Sequence, residues 1–418
     1  MKKLRIGVIG VGRGKTMMEY CKFAGNAELV AICDKWEEGL EKQKAKLGDK
    51  IAYFTDYDEF LKFDMDCVML ANYANEHAPF AVKAMNAGKH VISEVLPCQT
   101  MKEAVEVIET IEKTGKTYCY AENYCYMAAP YEMKKLYRAG KIGEFEYAEG
   151  EYIHNCESIW PIITYGERDH WRNNDYATFY CTHSIGPIVH ITGLRPVAVN
   201  GFELPANEKS DRMGAYGAGA GIEMIRFENG GMMKSIHGGL DRNSVWYTLY
   251  GKLGRLESDR ESCCDSDNVN RIHTEWYHTD GDYSEQNFEQ GHYKPYELKH
   301  EHDGYGHGGS DYYCLYNAVQ KILGDPEADA IDFYEALDMF LPGLFAYRSI
   351  LKGGVTLEIP NLRLPEEREK WRNDTFCTDK KVGGDQYVFP RATEPFEYPD
   401  AVYQRIYDLW REELKNRD

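Results

Sequence analysis

A mostly apolar run, Leu4 to Gly10, opens the chain and passes straight into Gly10-Val11-Gly12-Arg13-Gly14 and helix-forming residues from Lys15 to Ala24. Apolar on both alternations and rich in Val and Ile, the run predicts a strand covered on its two faces. Glu28 to Cys33 predicts the next strand, and the pattern then repeats. Strands are predicted at Ile51–Phe54, Asp66–Ala71, Lys89–Glu94 and Thr117–Ala121. The helices between them are Tyr57–Phe63, Ala78–Ala87, stopped by Gly88, and Met101–Thr114, stopped by Gly115. Such alternation means a parallel, doubly wound sheet.

From Glu122 the grammar changes. A helix over Pro130–Ala139 is followed by strand patterns at Phe145–His154, Val197–Glu203, Ile222–Phe227, Met232–Gly238, Val245–Gly251 and Gly254–Glu257. Turns such as Asn229-Gly230 mark antiparallel hairpins. Two later helices, around Asp311–Leu323 and Asp332–Lys352, are expected to pack on this sheet. Residues 258–300 are polar and read as a long surface loop, with or without a short hairpin. The aromatic tail after Glu369 ends in an amphipathic helix over Asp400–Arg417, and such a tail packs on its own chain or on a neighbouring subunit. The expected fold class is α/β plus α+β: a Rossmann domain over 1–122, an open, mainly antiparallel sheet flanked by helices over 123–369, and an extension over 370–418.

Charge and composition narrow the function. A net charge of −19 excludes the basic stripe that nucleic acid needs and the polybasic face that an anionic membrane needs. No apolar stretch is long enough to span a bilayer, and the N-terminal run lacks the pattern of a secretion signal, so a cytoplasmic protein is expected. The twelve cysteines are scattered, without a C-x-x-C pair, and read as buried thiols. The 32 tyrosines suit a site for polyhydroxylated ligands, each ring offering a flat apolar face and a hydroxyl.

The glycine run is the first candidate site. Gly10, Gly12 and Gly14 let backbone amides approach a pyrophosphate at a helix N-terminus. Asp34, 24 residues after Gly10 at the end of the second strand, can bond both ribose hydroxyls and repels a 2′-phosphate. NAD is therefore the expected cofactor, against which the neighbouring Lys35 is the one contrary sign.

The second candidate is Tyr180-Cys181-Thr182-His183, just ahead of an apolar helix that begins near Ile188 and stops at Gly193. A phenol and an imidazole at i and i+3 face the same way across a helical turn and can move protons on a substrate hydroxyl. The competing reading is a helix cap made by Thr182 or Ser184, with both rings merely packed. His302, Asp303 and His307 lack a recognisable metal-ligand framework, so no metal is expected and His307 reads as a substrate-facing residue on a glycine turn.

Together these motifs resemble the Gfo/Idh/MocA oxidoreductases over roughly residues 4–360: Gly7 to Gly12, Asp34, His77, Ala87 to Val91 and the Gly140–Glu144 turn. That family usually carries Glu-Lys-Pro after the fifth strand, and its lysine assists hydride transfer. Here Glu94-Val95-Leu96-Pro97 stands instead. The NAD-dependent glycosidases of glycoside hydrolase family 109 likewise lack the lysine. The chain is similar to them at Glu94-Val95, Glu122-Asn123, Tyr152-Ile153-His154, Trp171-Arg172, Tyr180 to His183, Gly186-Pro187 and His307 to Asp311.

By this resemblance Arg13, Gly14, Asp34, His77, Glu94, Val95, Asn123 and Tyr180 touch NAD, and Asn72 joins Gly10 and Gly12 in that set. Tyr126, Tyr152, Arg172, Tyr180, His183 and His307 are the residues expected at a small carbohydrate, and a homo-oligomer, dimer or tetramer, is expected. The implied chemistry takes hydride from C3 of a sugar, which acidifies the C2 proton. The anomeric group then leaves by elimination, water adds at C1 and the hydride returns. His183 or Tyr180 takes the C3 hydroxyl proton, the other or His154 serves C2, and Arg172 (or Arg168 in its place) orients the sugar. A sugar dehydrogenase that releases NADH, or a non-catalytic NAD sensor, are the readings this has to displace.

Overall fold

Six short strands, β1 (Leu4–Ile9), β2 (Ala27–Cys33), β3 (Ala52–Phe54), β4 (Cys67–Leu70), β5 (His90–Ser93) and β6 (Tyr118–Tyr120), pair entirely in parallel. They appear in a computed structural model that describes residues 3–258, 260, 270–277, 286–293 and 305–416. Their order, β3-β2-β1-β4-β5-β6, reverses direction between β1 and β4. The crevice beyond the carboxyl ends at such a reversal is where open α/β sheets take ligands.

The helices obey local rules. Met101–Thr114 starts on a capping box between Thr100 and Glu103, buries Met101, Ala104, Val105 and Ile108, and stops at Gly115 in the left-handed region. Between the strands of the parallel sheet, one helix was absent from the expectation. Glu37–Leu47 fills the gap between β2 and β3, and only Gly39, Leu40 and Gln43 of it are buried. So thin an apolar stripe gives almost no periodic signal.

The chain divides into two compact units, each drawn from three segments. The described residues of the first fall within 1–127, 296–337 and 362–374, those of the second within 128–295, 338–361 and 375–418. The helix Ser310–Leu323, in the first unit, packs beside Asn123–Tyr126 and the helix Lys15–Phe23.

The second unit is built on nine strands: β7 (Phe145–Ile153), β8 (Pro196–Leu204), β9 (Ala220–Phe227), β10 (Met232–Gly238), β11 (Ser244–Gly251), β12 (Gly254–Ser258), β13 (Asn270–Tyr277), β14 (Gln286–Tyr293) and β15 (Leu357–Glu358). Their order is β14-β13-β12-β11-β7-β10-β9-β8-β15. All pairs are antiparallel except β7 with β10. The surface loop expected at 258–300 is thus corrected in part: two eight-residue strands extend the sheet there.

The tail packs on its own chain. Tyr398 and Tyr403 bury against Tyr216, and Ile406 of the helix Asp400–Asn416 buries with Trp160 and Ala215. The described cysteines form no disulfide and all but Cys156 are buried. Among the described residues no helix is long and apolar enough to cross a membrane.

Candidate active site

In the first unit the glycine turn sits at the sheet's reversal point. Gly10 has φ +96°, and a side chain there would meet the Ala71 carbonyl oxygen, at the end of β4, at 2.2 Å. Only glycine allows both that angle and that approach. The Asp34 carboxylate closes the turn, accepting from the Val11 N–H at 2.7 Å and from the Trp36 N–H at 2.9 Å. Each oxygen keeps a lone pair for a ribose hydroxyl, so cradle and carboxylate together fit an NAD adenosine. Lys35 does not compete, because its ammonium rests 4.2 Å from the centre of the Tyr73 ring. Asp34→Ala removes the turn's anchor and the ribose acceptor together. NAD affinity should fall about 10- to 100-fold, and the preference over NADP should shrink, as read by calorimetric titration of both nucleotides.

Four of the residues expected at the cofactor or sugar converge on a fifth, to which the His307–Asp311 match gave no role of its own. Asp311, in the first turn of Ser310–Leu323 and 2 % exposed, accepts both terminal nitrogens of Arg13 at 3.1 Å, the Asn123 amide at 2.5 Å and the His307 ring at 3.2 Å. Glu94 takes the remaining Nε of Arg13 at 2.6 Å. The two carboxylates diverge in acidity. Burial raises Glu94, with the negative charge of Asp311 adding to it, while Arg13 works against both. Burial also opposes ionisation of Asp311, but the hydrogen bonds and charges of His307 and Arg13 hold it well below the usual carboxylate range. His307, Gly308 and Gly309 have φ of 56°, 65° and 88°, three left-handed residues in succession that turn the imidazole onto Asp311. A small cavity of about 10 Å³, room for about one water, is bounded by Arg13, Glu94, Asn123 and Asp311, with Met17 and Met69. Of the earlier trio, His302 and Asp303 lie outside the described residues.

Other expected cofactor residues are placed differently. His77 is 1 % exposed, its Nδ1 2.8 Å from the Leu96 carbonyl, and burial lowers its pKa to about 4, so it is a neutral prop for the Glu94–Pro97 turn that also carries Val95. Asn72 donates to Glu76 at 3.0 Å. Tyr126, expected at the sugar, is a correction: it is 1 % exposed and donates its hydroxyl to the Asp329 carbonyl at 2.5 Å, which makes it a core residue.

Of the residues expected at the sugar, Tyr152, Arg172, Tyr180 and His183 lie in the second unit and His307 in the first. Tyr152 and His154 point the same way at the end of β7, the phenol oxygen 2.9 Å from the His154 Nδ1. The Tyr152 ring lies 4.8 Å from His183 and 6.4 Å from Tyr180, and Tyr180 lies 5.0 Å from His183. Arg172 stacks its guanidinium on Trp171 at 4.3 Å and faces the Tyr180 ring at 5.3 Å. Arg168 is no substitute, since it pairs with Glu397 and Asp400 of the tail. Asp175, to which the motifs gave no role, is three residues beyond Arg172. Burial pushes its carboxyl up to about 7, against the pull of Arg172, its own backbone N–H and His237.

The helix that carries His183 begins earlier than expected. It runs over Thr182–Thr192, with His183 in its first turn and Pro187 inside it. Neither Thr182 nor Ser184 caps it, because Cys181 is the N-cap and makes no side-chain cap bond. Ser184 instead bonds Ser235 of β10 at 2.9 Å. Pro187 has no N–H for the His183 carbonyl, and Tyr247 of β11 donates its hydroxyl there. Beside it, Gly150 of β7 lets the Ser184 carbonyl touch the sheet: a Cβ at 150 would sit 2.0 Å from that oxygen.

Comparison with known proteins agrees with the fold. Residues 4–122 match the family described as oxidoreductase family, NAD-binding Rossmann fold, of the Gfo/Idh/MocA type. The chain is 31 % identical over 238 residues to a glycosyl hydrolase family 109 protein of Bacteroides fragilis, covering 54 % of this chain and 51 % of that one. It is 33 % identical over 205 residues to an alpha-N-acetylgalactosaminidase of Shewanella oneidensis, covering 45 % and 44 %. Over these alignments the chain spans about half the length of the curated relatives it matches. The fold matches a solved oxidoreductase of Agrobacterium radiobacter in complex with NAD+, L-tartaric acid and magnesium, with a TM-score of 0.69 at 15 % identity, covering 85 % of this chain and 98 % of that one. Residues 4–122 thus match an NAD-binding Rossmann domain of the Gfo/Idh/MocA oxidoreductases, which supports NAD as the cofactor.

Proposed function

We propose that the chain is an NAD-dependent enzyme acting on a sugar or glycoside, and that it works as a redox-neutral glycosidase. The observation that carries this reading is the convergence of Tyr152, His154, Arg172, Tyr180 and His183 in one unit. It occurs in a chain whose Rossmann domain has Val95 and Leu96 where the related dehydrogenases carry lysine. The family 109 relatives, one of them named an alpha-N-acetylgalactosaminidase, support an N-acetylated hexosaminide as the first substrate to try.

NAD, when bound, supplies a reversible hydride transfer at a sugar carbon, C3 in this reading. The chain's own residues handle the protons. His183 accepts the C3 hydroxyl proton, since its imidazole meets the rings of both Tyr152 and Tyr180 and is a proton acceptor by type. Tyr180 or His154 takes the C2 proton. Arg172, held flat on Trp171, orients the sugar and stabilises negative charge that develops on the oxygen at C3.

The test is direct. Purified protein, without added cofactor, is incubated with aryl α- and β-glycosides while aglycone release and the absorbance of reduced cofactor are followed. Release without accumulation of reduced cofactor is the expected result, together with exchange of deuterium from C2 of the sugar into solvent. Reduced cofactor formed in proportion to substrate converts the protein to an ordinary sugar dehydrogenase instead.

A further inference from the structure

The tail and the arginine of the sugar site meet through one buried asparagine. Asn173 follows Arg172 in the short turn Trp171–Asn173, is 1 % exposed and belongs, like the tail beyond residue 374, to the second unit. Its side-chain amide donates to the Glu167 and Arg168 carbonyls at 3.0 and 2.9 Å, and its side-chain oxygen accepts the Trp160 indole N–H at 3.2 Å. Its main-chain carbonyl accepts the Tyr216 N–H at 2.8 Å, and its N–H donates to the His170 carbonyl at 3.0 Å. Both amide hydrogens are spent, so the side chain cannot turn without leaving buried groups unpaired. Arg172, one residue earlier, is aimed by this bracing. Its guanidinium faces the Trp171 and Tyr180 rings, which stack 6.3 Å apart with their planes 17° from parallel.

Three of the partners of Asn173 are in turn held from the tail. Trp160 buries with Ala215 against Ile406 of the helix Asp400–Asn416. Arg168 pairs with Asp400 and, at 3.4 Å, with Glu397, and its guanidinium lies 5.0 Å from the centre of the Tyr403 ring. Tyr216 donates its hydroxyl to the same Glu397 oxygen at 2.9 Å and packs on Phe396 and Tyr398, with ring centres 5.6 and 5.1 Å away. Between Trp160 and Arg168 the main chain itself touches the tail helix: a Cβ on Gly166 would lie 2.5 Å from the Tyr407 Cα. Exposed ion pairs alone carry little weight, but these rim a packed aromatic contact whose members reach Asn173 from separate segments.

We propose that the tail is a positioning element of the sugar site, and that Asn173 is the positioning residue through which it fixes Arg172. This rests on the reading above in one respect, that Arg172 orients the sugar, and it holds for a glycosidase and a dehydrogenase alike. The physical need is plain. A single short turn has few main-chain bonds of its own, and a long arginine on it would have to be ordered at each binding event. The bonds converging on Asn173 supply that order beforehand, and the tail keeps their partners in place. Sugar affinity therefore depends on residues far along the chain. NAD affinity does not, because the glycine turn and Asp34 belong to the first unit.

The experiment uses the NAD-loaded full chain with two changes to the tail. Ile406→Ala empties the contact behind Trp160, and Glu397→Lys with Asp400→Lys turns the attraction for Arg168 into repulsion at two exposed positions. Each is made in wild type and in Arg172→Ala, and affinity for the sugar that wild type turns over is measured by calorimetry beside kcat/KM. With Arg172 present, either change should weaken sugar affinity roughly 10-fold and raise KM in step, with NAD affinity unchanged. In Arg172→Ala the same changes should cost less than about 2-fold, because the group they position is gone. Equal losses in both backgrounds reduce the tail to packing and overturn the assignment, as does wild-type affinity in the tail variants. If Ile406→Ala fails to fold, the exposed pair decides. Reduced cofactor released by wild type overturns the redox-neutral reading and leaves this test intact. A wild type that acts on no glycoside overturns that reading and the tail's role together.

Discussion

His183→Ala should lower kcat by about 10³-fold, while NAD affinity, read by calorimetry on the same preparation, stays unchanged. The separation follows from where the groups lie. His183 meets Tyr152 and Tyr180 in the second unit, whereas the glycine turn, Asp34 and the Arg13–Asp311 cluster belong to the first. Truncation at Cβ removes the imidazole but not the backbone carbonyl that Tyr247 holds, so the helix keeps its seat. His183→Gln restores a hydrogen-bonding side chain without a base of useful pKa and should recover little. Turnover in His183→Ala within a few-fold of wild type would return Tyr180–His183 to a packing role.

Gly150→Ala should destabilise the second unit by about 1–3 kcal/mol or more, and lower the midpoint of thermal unfolding by several degrees, since each kcal/mol moves a domain of this size by about 2–4 °C. The added methyl would lie 2.0 Å from the Ser184 carbonyl oxygen and 2.7 Å from the Met233 methyl. Met233 can rotate away, but the carbonyl is main chain in the first turn of a helix and can only move with it. That turn carries His183, so activity should fall further than the residual folded fraction explains. Melting followed by circular dichroism, with turnover measured well below the midpoint, separates the two losses.

The parallel sheet was legible because strands covered on both faces leave nearly continuous apolar runs, as at Leu4–Ile9 and Cys67–Leu70, and because glycines end the helices between them. The helix Glu37–Leu47 was not, since a surface helix can meet its fold with three buried positions. The start of the His183 helix was hidden by its own composition: Thr-His-Ser-Ile-Gly-Pro holds few helix formers, and tertiary bonds from Ser235 and Tyr247 make up the difference. Aromatic residues misled in one case. Tyr126 and Tyr152 read alike as letters, yet one fills a core and the other opens on a group of site rings. Asp311 stood in the sequence only as the end of the His307–Asp311 match, because an aspartate acquires its role only from the arginine it meets in space.

The pairing of Pro187 with Tyr247 reaches beyond local geometry. A proline within a helix ordinarily weakens it at one carbonyl, and a buried phenol ordinarily needs an acceptor of its own. Here each deficiency is the other's remedy, which ties the register of β11 to one turn of one helix. Neither position can then drift alone. An alanine at 187 would offer the carbonyl a second donor and leave the phenol contested, and a phenylalanine at 247 would leave the carbonyl bare. The pair works as a lock whose two halves are far apart in the chain, and the imidazole it secures is the one to which this reading gives the first proton.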